Sequence, residues 1–309
     1  MQASAIECRG LTKQYGDVRA VNELTLNVAD GSFFGLLGPN GSGKTTTIHM
    51  LSTLARPTVG SIRVAGYDVL KQPVQARACI GLVFQESALD RSLTVAENLH
   101  FAGALYGLDA TTVEQRLAEL LDLFDLESKR EVRVAALSGG MRRALDIARG
   151  VLHRPRVLFL DEPTIGLDII NRRAIWRFIS RLRQEHGMSV LLTTHYLEEA
   201  EGCDEVAFLR HGQLIGQGQP SDLIRALGHY ILEIETDQPD YYIEQLSSEL
   251  GTPVQEDERL LFAIQDEDFQ FGALQQRLQH EVRALQLRKP DLNDVYIWRN
   301  QPTGKGEAA

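Results

Sequence analysis

An unbroken run of apolar residues and glycine, Phe33-Phe-Gly-Leu-Leu37, leads straight into Gly38-Pro39-Asn40-Gly41-Ser42-Gly43-Lys44-Thr45-Thr46. This segment matches G-x-x-x-x-G-K-[ST], a pattern that works only where a strand ends, the backbone wraps an anion and a helix begins. Residues from Thr45 to Leu54 read as that helix. Glycines allow successive N–H groups to point inward at phosphate oxygens. The helix N-terminus adds the positive end of its dipole. In such a loop Lys44 neutralises the β- and γ-phosphates of a nucleotide, the Thr45 hydroxyl coordinates Mg²⁺, and Gly38 to Thr46 form the phosphate cradle.

Two further apolar strands end in chemistry. Val157-Leu-Phe-Leu runs into Asp161-Glu162, and Leu191-Leu-Thr-Thr runs into His195. In a parallel sheet these ends fall on the edge where ligands bind. An isolated Asp-Glu would be a solvated strand end. Downstream of a phosphate loop the two can divide labour, Asp161 holding the Mg²⁺ hydration shell and Glu162 polarising the attacking water. His195 would hydrogen-bond the γ-phosphate and fix that water. Gln85, after the strand Ile80–Phe84, offers a neutral amide to Mg²⁺. Leu137-Ser138-Gly139-Gly140-Met141 opens a helix from Arg142 to Leu152 and presents a hydroxyl, two N–H groups and a helix dipole to an anion. A second anion site is redundant within one chain. It makes sense facing the γ-phosphate held by another protomer, as two-fold symmetry allows.

These motifs, in this order, resemble the nucleotide-binding subunit of an ABC transporter. The resemblance covers residues 5–225: Walker A is Gly38–Thr45, the Q-loop is Gln85, the signature is Leu137–Met141, Walker B is Val157–Glu162, the D-loop is Gly166-Leu-Asp168 and the switch histidine is His195. It implies that Tyr15 stacks on adenine and that Asp168 belongs to the nucleotide site. Ser-Gly-Gly-Met-Arg-Arg at 138–143, Asn-Arg-Arg at 171–173 and Lys-Pro-Asp-Leu-Asn-Asp-Val-Tyr at 289–296 are similar to the drug-exporter-like branch, which includes daunorubicin-type exporters. Ile169 stands where many relatives carry proline. The resemblance further implies a homodimer sandwiching two ATP·Mg²⁺, a separately encoded integral-membrane permease gripped near Gln85 and residues 86–90, and a peripheral place on the cytoplasmic face of the cell membrane.

The expected fold class is α/β: a P-loop NTPase core with an N-terminal antiparallel β-subdomain, an inserted helical subdomain and a small C-terminal α+β appendage. Residues 5–34 read as short strands, with turns at Gly16-Asp17 and Asp30-Gly31. Residues 86–150 are mainly helical, opening on a Thr94/Glu97 capping box. Strands separated by helices predict parallel pairing. The expected domains are 1–228 for the ATPase, 229–299 for the appendage (strand, helix, strand, helix, strand, short helix), and 300–309 for a flexible tail.

Composition narrows the function classes. A net charge of −10 over 309 residues argues against a nucleic-acid partner, which needs clustered Lys and Arg. Cys8, Cys79 and Cys203 lack metal-ligand spacing and read as small apolar residues of a reducing compartment. The N-terminal residues lack a signal-peptide pattern, and no apolar run reaches the ~20 residues of a membrane span. Two alternatives compete with a transporter subunit. A soluble ABC-type ATPase without a membrane partner usually carries tandem halves or long coiled-coil insertions, absent here. A non-catalytic nucleotide sensor sits poorly with an intact Lys44, Asp161, Glu162 and His195.

Overall fold

Two strands of twelve residues, β1 (Ser4–Tyr15) and β2 (Val18–Ala29), form an antiparallel ribbon turned at Gly16 and Asp17. The computed structural model describes residues 4–278 and 282–301. The sequence reading divides this region into shorter strands. The structure keeps two long ones, because register shifts and the positive φ of Gly10 (55°) and Glu23 (52°) absorb the irregularities as bulges. The ribbon is completed by strands that come later in the chain.

In chain order follow β3 (Phe33–Leu37), α1 (Lys44–Leu51), β4 (Val59–Val64), β5 (Tyr67–Asp68), α2 (Pro73–Ala78) and β6 (Ile80–Val83). Then come α3 (Val95–Leu105), α4 (Ala110–Leu123), α5 (Gly139–Val151), β7 (Val157–Asp161), α6 (Ile169–His186), β8 (Ser189–Thr194), β9 (Glu205–Arg210) and β10 (Gln213–Gly218). One four-stranded sheet has the order β2-β1-β4-β5, and a six-stranded sheet has the order β10-β9-β3-β8-β7-β6. Within the latter, β6/β7, β7/β8, β8/β3 and β3/β9 pair parallel, as strands joined through helices must. Every residue of β3, β7 and β8 is buried, which fits strands covered on both faces.

One core cluster joins Phe34, Leu36, Val157, Phe159 and Leu191 of this sheet to Ile6, Leu11, Val21 and Leu24 of the ribbon. The Thr94 hydroxyl accepts from the Glu97 N–H while the Glu97 carboxylate accepts from the Thr94 N–H, so the capping box read in the sequence starts α3. Among the described residues no helix is long and apolar enough to cross a membrane.

A second compact unit holds residues 196–202 and the described residues from Ile215 to Gln301. It contains α7 (Pro220–Leu227), β11 (Tyr230–Glu235), α8 (Pro239–Leu250), β12 (Val254–Glu256), β13 (Arg259–Ile264), α9 (Phe271–Leu278), β14 (Ala284–Arg288) and α10 (Leu292–Arg299). Its sheet runs β12-β13-β11-β14, with antiparallel pairing throughout. The three-residue β12 is too short to stand out in the sequence. Alternation along β11 sends Leu232 and Ile234 towards Tyr242 and Leu246 of α8 and Leu274 and Leu278 of α9. Ile231 faces the other way, with Leu261, Ile297 and Trp298. Residues 302–309 of the expected tail lie outside the described residues, as do residues 1–3.

The segment 289–296, read only as a family resemblance, has a structural basis. Asp291 caps α10 and accepts from the Asn293 and Asp294 N–H groups. Fully buried Asp294 accepts from the Asp291 N–H and, through both oxygens, from the Arg288 guanidinium at 2.7 and 2.8 Å. Such a forked, charge-assisted pair fixes β14 against the start of α10.

After α5, His153 stacks flat on Tyr106, with ring centroids 3.7 Å apart. Its Nε2–H donates to the Ile80 carbonyl at 2.9 Å, and its Nδ1 is buried without a partner. Protonation would bury an uncompensated charge, and burial accordingly pulls the ring from 6.5 down to about 4. The unfolded chain therefore takes up the proton first. This contribution to stability is full above pH 6.5 and is lost as pH falls towards 4, on the order of 1–3 kcal/mol after allowance for solvent screening. His153→Gln keeps a donor for Ile80, so its chemical-denaturation stability should vary less between pH 7 and 4.5 than the parent's.

Candidate active site

The parallel register brings the chemistry together. Leu37 lies beside Thr194, Asp161 beside Thr193, and Val83 beside Leu160. The loops that follow β3, β6, β7 and β8 therefore leave from one edge of the sheet. They carry Gly38–Lys44, Gln85, Glu162 and His195 respectively.

The phosphate loop is shaped by sterics. Gly38 (φ 151°) and Gly43 (φ 105°) occupy backbone that other residues rarely adopt. A Cβ on Gly43 would also strike the Ala20 carbonyl at 2.5 Å, and one on Gly38 would strike the Leu209 carbonyl. Gly43 is the N-cap of α1, and the Ser42 carbonyl accepts from the Gly212 N–H, anchoring the loop to the turn after β9.

At the centre, Lys44 is 5% exposed. Its ammonium donates to the Gly38 and Pro39 carbonyls at 2.8 and 3.1 Å and lies 3.5 Å from Glu162 Oε1. Burial pulls this lysine below its ordinary range, opposed first by attraction to Glu162 and then by Asp161. The other Glu162 oxygen accepts from His195 Nδ1 at 2.6 Å, which assigns the ring proton to Nδ1. Thr45 Oγ1 donates to Asp161 Oδ1 at 3.3 Å. Lys44, Thr45, Asp161, Glu162 and His195, each a candidate site residue in the sequence, thus lie together at this strand edge.

Glu162 is the strained member. Its φ is 48°, rare for a residue with a side chain. Such strain persists where surrounding contacts over-determine it. The Glu162 N–H donates to both the carbonyl (3.2 Å) and the hydroxyl (3.0 Å) of Thr193. The same hydroxyl donates to Asp161 Oδ1 at 2.6 Å. Thr193 fixes both carboxylate residues, and the sequence reading missed it. The available signal was a hydroxyl near the end of an apolar strand, two residues before the histidine. Arg143 also reaches this strand end and entered the sequence reading only within the 138–143 resemblance.

The other expected site residues have different partners. Ser138 is the N-cap of α5 and accepts from the Met141 N–H at 3.2 Å, which leaves its hydroxyl hydrogen as a donor. Gly139 is exposed beside it, whereas Gly140 is buried with the Asn171 amide where its Cβ would stand. Gly140 therefore serves close packing of α5 on the start of α6. Asp168 caps α6, accepting from the Ile170 and Asn171 N–H groups and the Asn171 amide. Those bonds, Asn171's first, hold its carboxyl below the ordinary range. Ile169 is the first residue of α6, where proline would fit equally well, so the departure from the family pattern leaves the cap intact. Tyr15 ends β1 half-exposed, with the Lys13 ammonium 4.7 Å from its ring centroid. Gln85 is exposed, one residue beyond Phe84.

An apolar groove of about 590 Å³ lies between the sheet and α3, lined by Leu54, Val74, Phe84, Phe101, Leu105 and Tyr106. The sequence reading put a docking groove at Gln85 and residues 86–90. This apolar groove lies beside that segment: Phe84, the residue before Gln85, lines it together with Phe101 and Leu105, which stand exposed on α3, and with Leu54 and Val74.

Residues 21–165 match the ABC transporter family model. The chain is 40% identical over 302 residues to the daunorubicin/doxorubicin resistance ATP-binding protein DrrA of Streptomyces peucetius, covering 95% of this chain and 91% of that protein. It is 42% identical over 234 residues to the Nod factor export ATP-binding protein I of Ralstonia nicotianae, covering 75% and 73% respectively. Its fold matches the dimeric structure of an ATP-binding cassette in a post-hydrolysis state with ADP and Pi. That match has a TM-score of 0.63 and 26% identity, over 69% of this chain and 98% of that one.

Thr193→Val removes the donor to Asp161 and one acceptor for the Glu162 N–H without changing side-chain volume. Nucleotide-stimulated phosphate release should fall about tenfold or more, and unfolding free energy by about 1–2 kcal/mol.

Proposed function

This chain belongs to the ABC transporter family of ATP-binding subunits, and from that membership we propose how its residues couple ATP hydrolysis to export. It is an ATPase that powers an exporter, as the relatives named for drug resistance and Nod factor export indicate. The cargo class we assign is a drug-like, lipid or other small amphipathic compound. The observation that carries the mechanism is the pairing of buried Glu162 with buried Lys44 on one side and partly exposed His195 on the other, at the mouth of the phosphate loop.

ATP is held by the loop from Gly38 to Thr46, through the backbone N–H groups that every residue but Pro39 offers, with Tyr15 against the adenine. Lys44 exchanges its interaction with Glu162 for the β- and γ-phosphates. That releases one Glu162 oxygen towards the water that attacks the γ-phosphate. His195, anchored through Nδ1–H, leaves Nε2 to accept from that water and so aligns it against the γ-phosphate. The oxygens of Thr45 and Asp161 meet at the loop and suit a small hard cation, with Gln85 as a further oxygen donor. Bound there, Mg²⁺ would neutralise charge on the phosphate oxygens.

The far side of the nucleotide is met by Ser138, Gly139, Gly140 and Asp168 of a second copy. Their contacts in this chain run along and between α5 and α6. A two-fold dimer completes two such pockets, and loss of the bridging γ-phosphate opens it. A separately encoded permease docks an apolar segment in the groove lined by Phe101 and Tyr106, which holds this chain at the cytoplasmic face of the membrane.

Glu162→Gln keeps the shape of the side chain and removes the base. Steady-state ATPase activity should fall by at least about 100-fold, with ATP affinity retained and an ATP-dependent dimer trapped on size-exclusion chromatography. Normal turnover in this variant would remove Glu162 from the mechanism.

A further inference from the structure

Arg143, on the second turn of α5, is 7% exposed. Its guanidinium donates to four backbone carbonyls: Nε to Pro163 (2.6 Å), Nη1 to Phe84 (2.6 Å), and Nη2 to Asp161 and Glu162 (both 3.1 Å). Three of these carbonyls belong to consecutive residues. Consecutive carbonyls in an extended strand point to opposite sides. They converge on one cation here because the chain turns through the left-handed conformation of Glu162. That turn aims the backbone oxygens at Arg143 and the carboxylate at Lys44 and His195.

The fourth carbonyl belongs to the residue before Gln85. Farther along α5, Asp146 Oδ1 accepts from the Ala88 N–H at 3.3 Å, and Arg149 donates to the Ala88 carbonyl at 2.7 Å. One helix therefore grips both ends of the segment 84–88 and the backbone of the hydrolytic carboxylate. The same helix begins at Ser138.

We propose that Arg143 is a positioning residue that sets the backbone turn at Glu162 and ties it to the segment carrying Gln85, so that displacement of that segment moves the carboxylate relative to Lys44. All four of these Arg143 hydrogen bonds end on backbone carbonyls, so the guanidinium acts on the site through the main chain. Its planar fork is what allows one side chain to serve two loops at once. The inference rests on the hydrolytic role of Glu162 given above. That role is tested separately, by turnover of the parent chain and its loss in Glu162→Gln.

The test compares purified full-length R143Q and R143K with the parent in three measurements: ATPase kinetics, affinity for a fluorescent ATP analogue, and amide exchange read by mass spectrometry. In R143Q, kcat should fall about ten- to a hundredfold, since small misplacements of a reacting group have effects of that size. KM and nucleotide affinity should stay within about threefold. Exchange should rise together in peptides spanning 80–90 and 157–166. R143K, which keeps the charge and part of the donor set, should recover part of the kcat. The proposal is overturned if kcat in R143Q stays within about twofold of the parent, or if only one of the two peptides responds. It is also overturned if kcat and nucleotide affinity fall in parallel, or if neither variant gives a cooperative melt, because either result makes Arg143 a general support of the fold.

Discussion

The structure of the site depends on holding one buried carboxylate in a backbone conformation it would not choose. Glu162 sits at φ 48°, 5% exposed, with one oxygen towards Lys44 and the other on His195. Left alone, a residue with a Cβ at that φ would relax into the extended region. It does not, because its N–H is bound by Thr193 and its carbonyl by Arg143. The buried Lys44–Glu162 pair is a poor source of stability, since desolvation offsets the attraction. In the mechanism proposed above its value lies in exchange, the phosphate taking over the lysine and leaving the carboxylate to receive a proton.

The sheet makes this arrangement reproducible. Parallel strands with aligned ends deliver four loops to one edge, and complete burial of β3, β7 and β8 fixes their register. The N-terminal ribbon packs on the same core and supports the phosphate loop through the turn after β9, where Gly212 accepts from the Asn22 N–H and donates to the Ser42 carbonyl.

Much of this was legible in the sequence because it is local. The phosphate loop, the apolar strands ending in Asp161-Glu162 and His195, and the Thr94/Glu97 cap are each encoded within ten residues. What the sequence did not yield is contact between distant segments. Thr193 reads as one more strand residue until β8 lies beside β7. Arg143 is only part of a family motif until α5 is packed beneath the strand ends, because three of its partners lie 18 to 20 residues farther along the chain. Gly140 reads as an anion-binding glycine, and the sequence hides a second reason for its missing Cβ: the Asn171 side chain stands where one would be. Bulges at Gly10 and Glu23 likewise turn an apparent series of short strands into two long ones, because the partner strand and not the local pattern sets the pairing.

The account as a whole requires a nucleotide shared between the phosphate loop of one chain and the Ser138 turn of another. Mixing Lys44→Ala and Ser138→Arg proteins and measuring ATPase activity tests this most directly, because only a mixed dimer restores one pocket with both residues intact. Each parent should be nearly inactive and the mixture clearly more active than their average. An active Ser138→Arg protein, or a mixture no better than that average, would contradict a pocket built from two chains.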